Sequence, residues 1–89
     1  MKIFVVTITL NKPFHELSHL LAAEGKRVEE LAAAGLVKEL LVRADLTGAW
    51  LILRAESEQV ARAAVESLPM YPHMRVEIAE TQPPRGAAH

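Results

Sequence analysis

The chain has 89 residues and a mass of 9.8 kDa, enough for one small domain, and 51% of it is hydrophobic, although a fold this short buries only roughly 60–65% of its unfolded surface. Ten Lys+Arg against eleven Asp+Glu leave a net charge of −1 and a pI near 6.4 without a basic cluster, which argues against a nucleic-acid partner. Cysteine is absent, so disulfides, thiolate metal sites, iron–sulfur clusters and cysteine nucleophiles are excluded.

Residues 2–10 (KIFVVTITL) carry Phe4, Val6, Ile8 and Leu10 on one side and Ile3, Val5, Thr7 and Thr9 on the other. That is the pattern of a central strand covered on both faces. Asn11-Lys12-Pro13 breaks it, and proline suits the start of a helix. From Phe14 to about Ala34 the chain is rich in helix formers, with Leu17, Leu20, Leu21, Val28 and Leu31 in one stripe. Gly25 marks a bend or a close approach, and Gly35 a C-terminal stop. Residues 36–44 and 49–55 read as two strands joined by the turn Asp45-Leu46-Thr47-Gly48. The first carries Lys38, Glu39 and Arg43, as an edge strand would, whereas the second is apolar on both faces. Ser57 is an N-cap for a short helix that ends at Pro69. Met70-Tyr71-Pro72 then leads into a last strand over 73–80. Residues 1–80 form the single domain, and the aperiodic 81–89 is a tail, flexible or exchanged between subunits. No apolar run approaches the ~18–20 residues of a membrane span. The N-terminus lacks a signal-peptide layout. A cytoplasmic protein with no membrane partner is expected.

The order βαββαβ is the ferredoxin-like split unit, an α+β fold with a four-stranded antiparallel sheet and two helices on one face. Its first and third strands are central, in agreement with the two doubly apolar runs. The uncovered sheet face calls for another subunit's sheet, which gives a dimeric α+β barrel and a homo-oligomer of at least two chains.

Among residues that carry chemistry, Glu24 stands out. With Leu17 at zero on a helical wheel, Glu24 falls near 340°, inside the leucine stripe (roughly 300° through 40°). A carboxylate facing an apolar space has its pKa raised by desolvation, which suits a general acid or base. The competing reading is a structural ion pair with Arg43, Arg54 or Lys26. Arg43 and Arg54 are candidates for holding a substrate carboxylate. Trp50 is a core or pocket-wall residue. His73 opens the last strand beside Tyr71, where it is a substrate-binding candidate at a cleft mouth or, in the plainer reading, an edge residue. His15 and His19 have the i, i+4 spacing of a metal clamp, but they lie opposite the stripe without a third ligand, so a solvated face is expected. There is no phosphate loop, dinucleotide fingerprint or nucleophile elbow.

Leu68-Pro69-Met70-Tyr71-Pro72-His73-Met74-Arg75-Val76-Glu77-Ile78 resembles the L-P-[apolar]-[aromatic]-P-x-M-x-[apolar]-E-[apolar] segment of muconolactone delta-isomerases. Gly35, Arg43 and Trp50 are similar to that family's Gly…Arg…aromatic arrangement, and Glu24 falls where its helix carries a Glu. The resemblance spans most of residues 1–80. It implies sheet-face assembly into dimers and rings of dimers. It also implies a proton moved within an unsaturated lactone, in aromatic-compound degradation, without metal or organic cofactor. Carried over, Glu24 shuttles the proton, Arg43 holds the substrate carboxylate or the dienolate charge, and Trp50 and Tyr71 shape the pocket. The chain departs from the family at Glu80-Thr81-Gln82-Pro83-Pro84 (no His-Pro), at Gly25 before Lys26, and at Leu46-Thr47-Gly48-Ala49 (no His or Tyr).

Three functions therefore compete. One is a cofactor-free isomerase of a small unsaturated lactone or related acid. Another is a cofactor-free monooxygenase or polyketide cyclase of the α+β barrel class, with Trp50 and His73 about an aromatic substrate. The third is a non-catalytic small-ligand-binding or assembly protein, with Glu24 locked in an ion pair.

Overall fold

A computed structural model describes residues 1–82. The elements are β1 (Lys2–Leu10), α1 (Phe14–Leu17), a 3-10 turn (Ser18–Leu20), α2 (Leu21–Ala33), β2 (Val37–Val42), β3 (Gly48–Ala55), α3 (Glu58–Glu66), a second 3-10 turn (Tyr71–His73) and β4 (Met74–Glu80). The strands form one antiparallel sheet in the order β2-β3-β1-β4. The doubly apolar strands are central and the charged ones lie at the edges, as the patterning requires. This is the ferredoxin-like α+β fold.

Period-2 alternation divides the sheet into two faces. Phe4, Val6 and Ile8 of β1 pair with Leu53, Leu51 and Ala49 of β3. They bury against the helices, where Leu31, Ala61, Ala64, Val65 and Leu68 complete the core. On the opposite face Val5 pairs with Ile52, Thr7 with Trp50, and Trp50 with Leu41. No element of the described chain crosses that face, and Leu41 is 47% exposed.

The first helical segment bends, but not at Gly25, where α2 runs through unbroken. The interruption is the 3-10 turn at Ser18–Leu20. Within it the Ser18 hydroxyl donates to the His15 carbonyl at 3.0 Å, a local bond of the kind that competes with the regular ladder. At the other end Gly35 has φ +83°. Leu36 N–H donates to Leu31 O at 2.9 Å and Gly35 N–H to Ala32 O at 3.0 Å, the paired bonds of a Schellman stop. Ser57 caps α3 by accepting from Val60 N–H at 3.3 Å.

Backbone bonds gather the loops at one end of the sheet. Leu10 N–H donates to Thr47 O at 2.9 Å, and Asn11 N–H to His73 O at 2.7 Å. At the far end Thr81 extends the β1–β4 ladder by donating its N–H to Ile3 O at 2.9 Å. The tail expected over 81–89 thus begins with a bonded residue, and its residues 83–89 lie outside the described part. Among the described residues no helix is long and apolar enough to cross a membrane.

Two glycines make opposite demands. A Cβ at Gly48 would run into the Ile8 carbonyl, whereas one at Gly25 would meet nothing within 4 Å. Gly25→Ala is therefore expected to stabilise the protein by about 0.5–1 kcal/mol through helix propensity. Gly48→Ala should destabilise it by more than about 1 kcal/mol. Urea unfolding of the two variants checks both signs.

Candidate active site

The helix face of the sheet does not fill at the end where β3 begins. Ala49 stands where Leu51 and Leu53 supply bulk further along, and a cavity of about 230 Å³ opens beside it and Gly48. Its walls are apolar: Ile8 and Leu10 from β1, Val42 from β2, and Leu68, Met70 and Met74 from the segment between α3 and β4. Among the described lining residues, Glu24 is the only one with an ionisable side chain. At this size, below the roughly 300–1,000 Å³ of drug-sized sites, the cavity suits a single small ring.

Glu24 is placed by a short zipper between α2 and the end of α3. Arg27 Nε donates to Ser67 Oγ at 2.9 Å. One turn back along α2, Glu24 Oε1 accepts from Met70 N–H at 2.9 Å. The structural alternative for Glu24 was an ion pair, and among the described residues it makes none with Arg43, Arg54 or Lys26. Desolvation raises its carboxyl pKa from the ordinary value, against the opposing pull of the Met70 N–H. A half-buried carboxyl with one oxygen anchored and its pKa shifted toward neutrality can both accept and return a proton.

The structure does not bring Arg43, Arg54, Trp50, Tyr71 or His73 into this cavity. Arg43 lies just past β2 on the opposite side of the sheet, its guanidinium 5.5 Å from the Trp50 ring centroid. It grips Asp45 in a bidentate pair, Nε to Oδ1 at 3.1 Å and Nη2 to Oδ2 at 3.0 Å, and Nε also donates to Thr47 Oγ1 at 3.1 Å. Arg43 and the Thr47 N–H and hydroxyl hold the Asp45 carboxyl far below its ordinary pKa. Trp50 belongs to the open face. Tyr71 packs against the core from outside the cavity. His73 gives its backbone carbonyl to Asn11. It is the neighbours of these two residues, Met70 and Met74, that line the cavity.

Residues not expected at a site, together with His15, which was expected on a solvated face, line a neighbouring recess. This open recess is lined by Asn11, Lys12, His15, Asp45 and Thr47, and it shares Leu10, Phe14 and Leu46 with the cavity. Leu46 stands in the left-handed region at φ 61°, a conformation that costs a β-carbon residue about 1–2 kcal/mol. The Arg43–Asp45–Thr47 clamp around it holds that turn closed. A loop such as Asn11-Lys12-Pro13, directly after a central strand, was the available signal for this recess. Among the described residues no cluster of three or more His, Asp or Glu is placed to hold a metal ion.

The raised pKa of Glu24 has a defined sign in stability. Its folded-state pKa lies above its unfolded value, so the folded protein is favoured while the carboxyl is neutral and loses stability as pH rises through that window. Glu24→Gln keeps an acceptor oxygen and cannot titrate. The stability of the variant relative to wild type is expected to be flat below about pH 4 and to rise in the variant's favour above it. Urea unfolding as a function of pH measures the difference.

The sequence profile of the muconolactone delta-isomerase family matches residues 3–83. Among solved structures, a muconolactone isomerase crystal structure superposes with a TM-score of 0.80 at 20% identity, covering 98% of this chain and 95% of the other. A 5-chloro-2-hydroxyhydroquinone dehydrochlorinase from Burkholderia phenoliruptrix AC1100, in complex with 2,5-dihydroxybenzoquinone, superposes with a TM-score of 0.75 at 19% identity, covering 94% and 97%. No curated protein matches the sequence. These structural likenesses carry the fold, and the profile match over nearly the whole described chain carries the lineage: the protein belongs to the muconolactone delta-isomerase family.

Proposed function

We propose that this protein is a cofactor-independent isomerase that moves a proton within a small unsaturated lactone or related acid in the cytoplasm, as a step in aromatic-compound degradation. The observation that carries the reading is Glu24, an unpaired carboxyl in an otherwise apolar cavity of single-ring size. The Glu24 carboxylate takes a proton from the ring carbon conjugated through the double bond to the lactone carbonyl. The electron pair delocalises onto the carbonyl oxygen as a dienolate. The same carboxyl then returns the proton to the carbon next to the carbonyl, and the double bond has shifted with no net gain or loss of atoms. The Met70 N–H fixes Oε1, and no hydrogen bond is made to Oε2 among the described residues, so one oxygen can serve both carbons on one face of the ring.

The other candidates take supporting roles in this reading. Arg43 fastens the turn that carries Leu46. Tyr71 and His73 brace the segment that supplies Met70 and Met74. Trp50, with Leu41, Ile52 and Val5, forms the apolar patch through which the sheet faces of two chains pair, giving a dimer or a ring of dimers. The monooxygenase or cyclase alternative needs Trp50 and His73 around one substrate, and neither lines the cavity.

Muconolactone isomerisation followed by absorbance tests the chemistry. Wild type is expected to turn over, and Glu24→Gln to lose about 100-fold or more in kcat while staying folded. Equal turnover by the variant removes Glu24 from the reaction, and an inactive wild type removes the lactone reading. Light scattering tests the assembly: wild type is expected as a dimer or larger, and Ile52→Lys as a monomer. A monomeric wild type would refute sheet-face pairing.

A further inference from the structure

We infer that the open recess formed by the β1–α1 and β2–β3 loops is a carboxylate subsite, with Lys12 as the cation that receives the charged end of the substrate. This inference rests on the isomerase reading and identifies the part of the site that selects an acidic lactone. The recess and the Glu24 cavity adjoin at Leu10, Phe14 and Leu46, which line both. The cavity cannot take a carboxylate. Its walls are apolar, and its one ionisable group, Glu24, carries the same charge, so a second anion there would face both desolvation and repulsion. An acidic ring must enter ring first and leave its carboxylate at the mouth.

The charges at the mouth favour an anion. Lys12, His15 and Asp45 line it. The negative charge of Asp45 is taken up by the bidentate bond from Arg43 and by the Thr47 hydroxyl at 2.7 Å. Lys12 makes no ion pair among the described residues, so the uncompensated charge of the recess is positive. Its backbone position is set on both sides, by the Asn11 N–H bond to His73 O and by the ring of Pro13 at φ −56°. Arg43, the cation that the sequence favoured for this task, has its guanidinium committed to Asp45, Thr47 and the Trp50 face. Its contribution to the subsite is to cancel Asp45.

Steady-state kinetics and binding test this separately from the chemistry. With muconolactone, Lys12→Ala is expected to raise KM about tenfold or more with kcat within about threefold, and Lys12→Arg to restore most of the KM, because a charge-assisted bond to the carboxylate is lost and regained. The methyl ester of the lactone should show the raised KM already with wild type and no further change in Lys12→Ala. Unchanged KM in Lys12→Ala, or a kcat loss alone, overturns the subsite. Binding is read by amide NMR shifts with the saturated lactone acid, which cannot isomerise. Shifts at residues 11–15 and 45–47, with about tenfold weaker binding to Lys12→Ala, support the subsite even if the lactone is not turned over. Binding of equal strength to both proteins, or shifts confined elsewhere, overturns it whatever the turnover.

Discussion

The pairing of β1 with β3 is the constraint on which the rest of the molecule depends, because it sets a gradient of side-chain size across the helix face. At one end Phe4 stands opposite Leu53, and the space beneath the helices is full. At the other end Ile8 stands opposite Ala49 and Thr9 opposite Gly48, where the strands approach so closely that a Cβ on Gly48 would meet a backbone carbonyl. The helices rest on the bulky end, and the narrow end leaves room beneath them. Close packing at one end of a two-layer fold thus produces a cavity at the other.

What makes that cavity chemically interesting is the mismatch between its walls and Glu24. An isolated carboxyl among Ile, Leu, Val and Met side chains is costly to ionise, and the Met70 N–H offsets only part of that cost. The residue is held in place through the link between α2 and the end of α3, made by two bonds three residues apart on each partner. A carboxyl on a helix is thereby positioned by a loop that follows a different helix. The cation-bearing loops obey a different logic. Arg43 and Asp45 cancel each other outside the cavity, and their pairing shapes the turn that places Leu46 at the junction of cavity and recess.

Much of this was legible in the chain. Alternation over KIFVVTITL and AWLILRA identifies two central strands, because only a strand buried on both sides keeps apolar residues at both parities. The order of elements then follows from turn and cap residues such as Gly35 and Ser57. Glu24 was also legible, since a carboxylate inside a leucine stripe breaks the local pattern. The 3-10 turn was not, because no proline or glycine in Leu17-Ser18-His19-Leu20 marks a break in the helical pattern. That turn also shifts the phase of Leu17 relative to Glu24, so the wheel locates the carboxyl's side of the helix but not the depth at which it sits.

The sequence by itself determined the strands, the helices, their order and which faces are apolar, since these are properties of neighbouring residues and of periods of 2 and 3.6. Tertiary structure alone decided which polar residues share a site. Arg43 and Glu24 look equally suited to one substrate on paper, yet a one-residue step along an edge strand moves a side chain to the other face of the sheet. Arg43 follows Val42, which lines the cavity, and so reaches Trp50 instead. Lys12 carries no pattern of its own, and the spacing of His15 from His19 does not point to the β2–β3 turn. They join Thr47 at one mouth only because Leu10 and Asn11 bond to Thr47 and His73, residues more than thirty-five positions away along the chain.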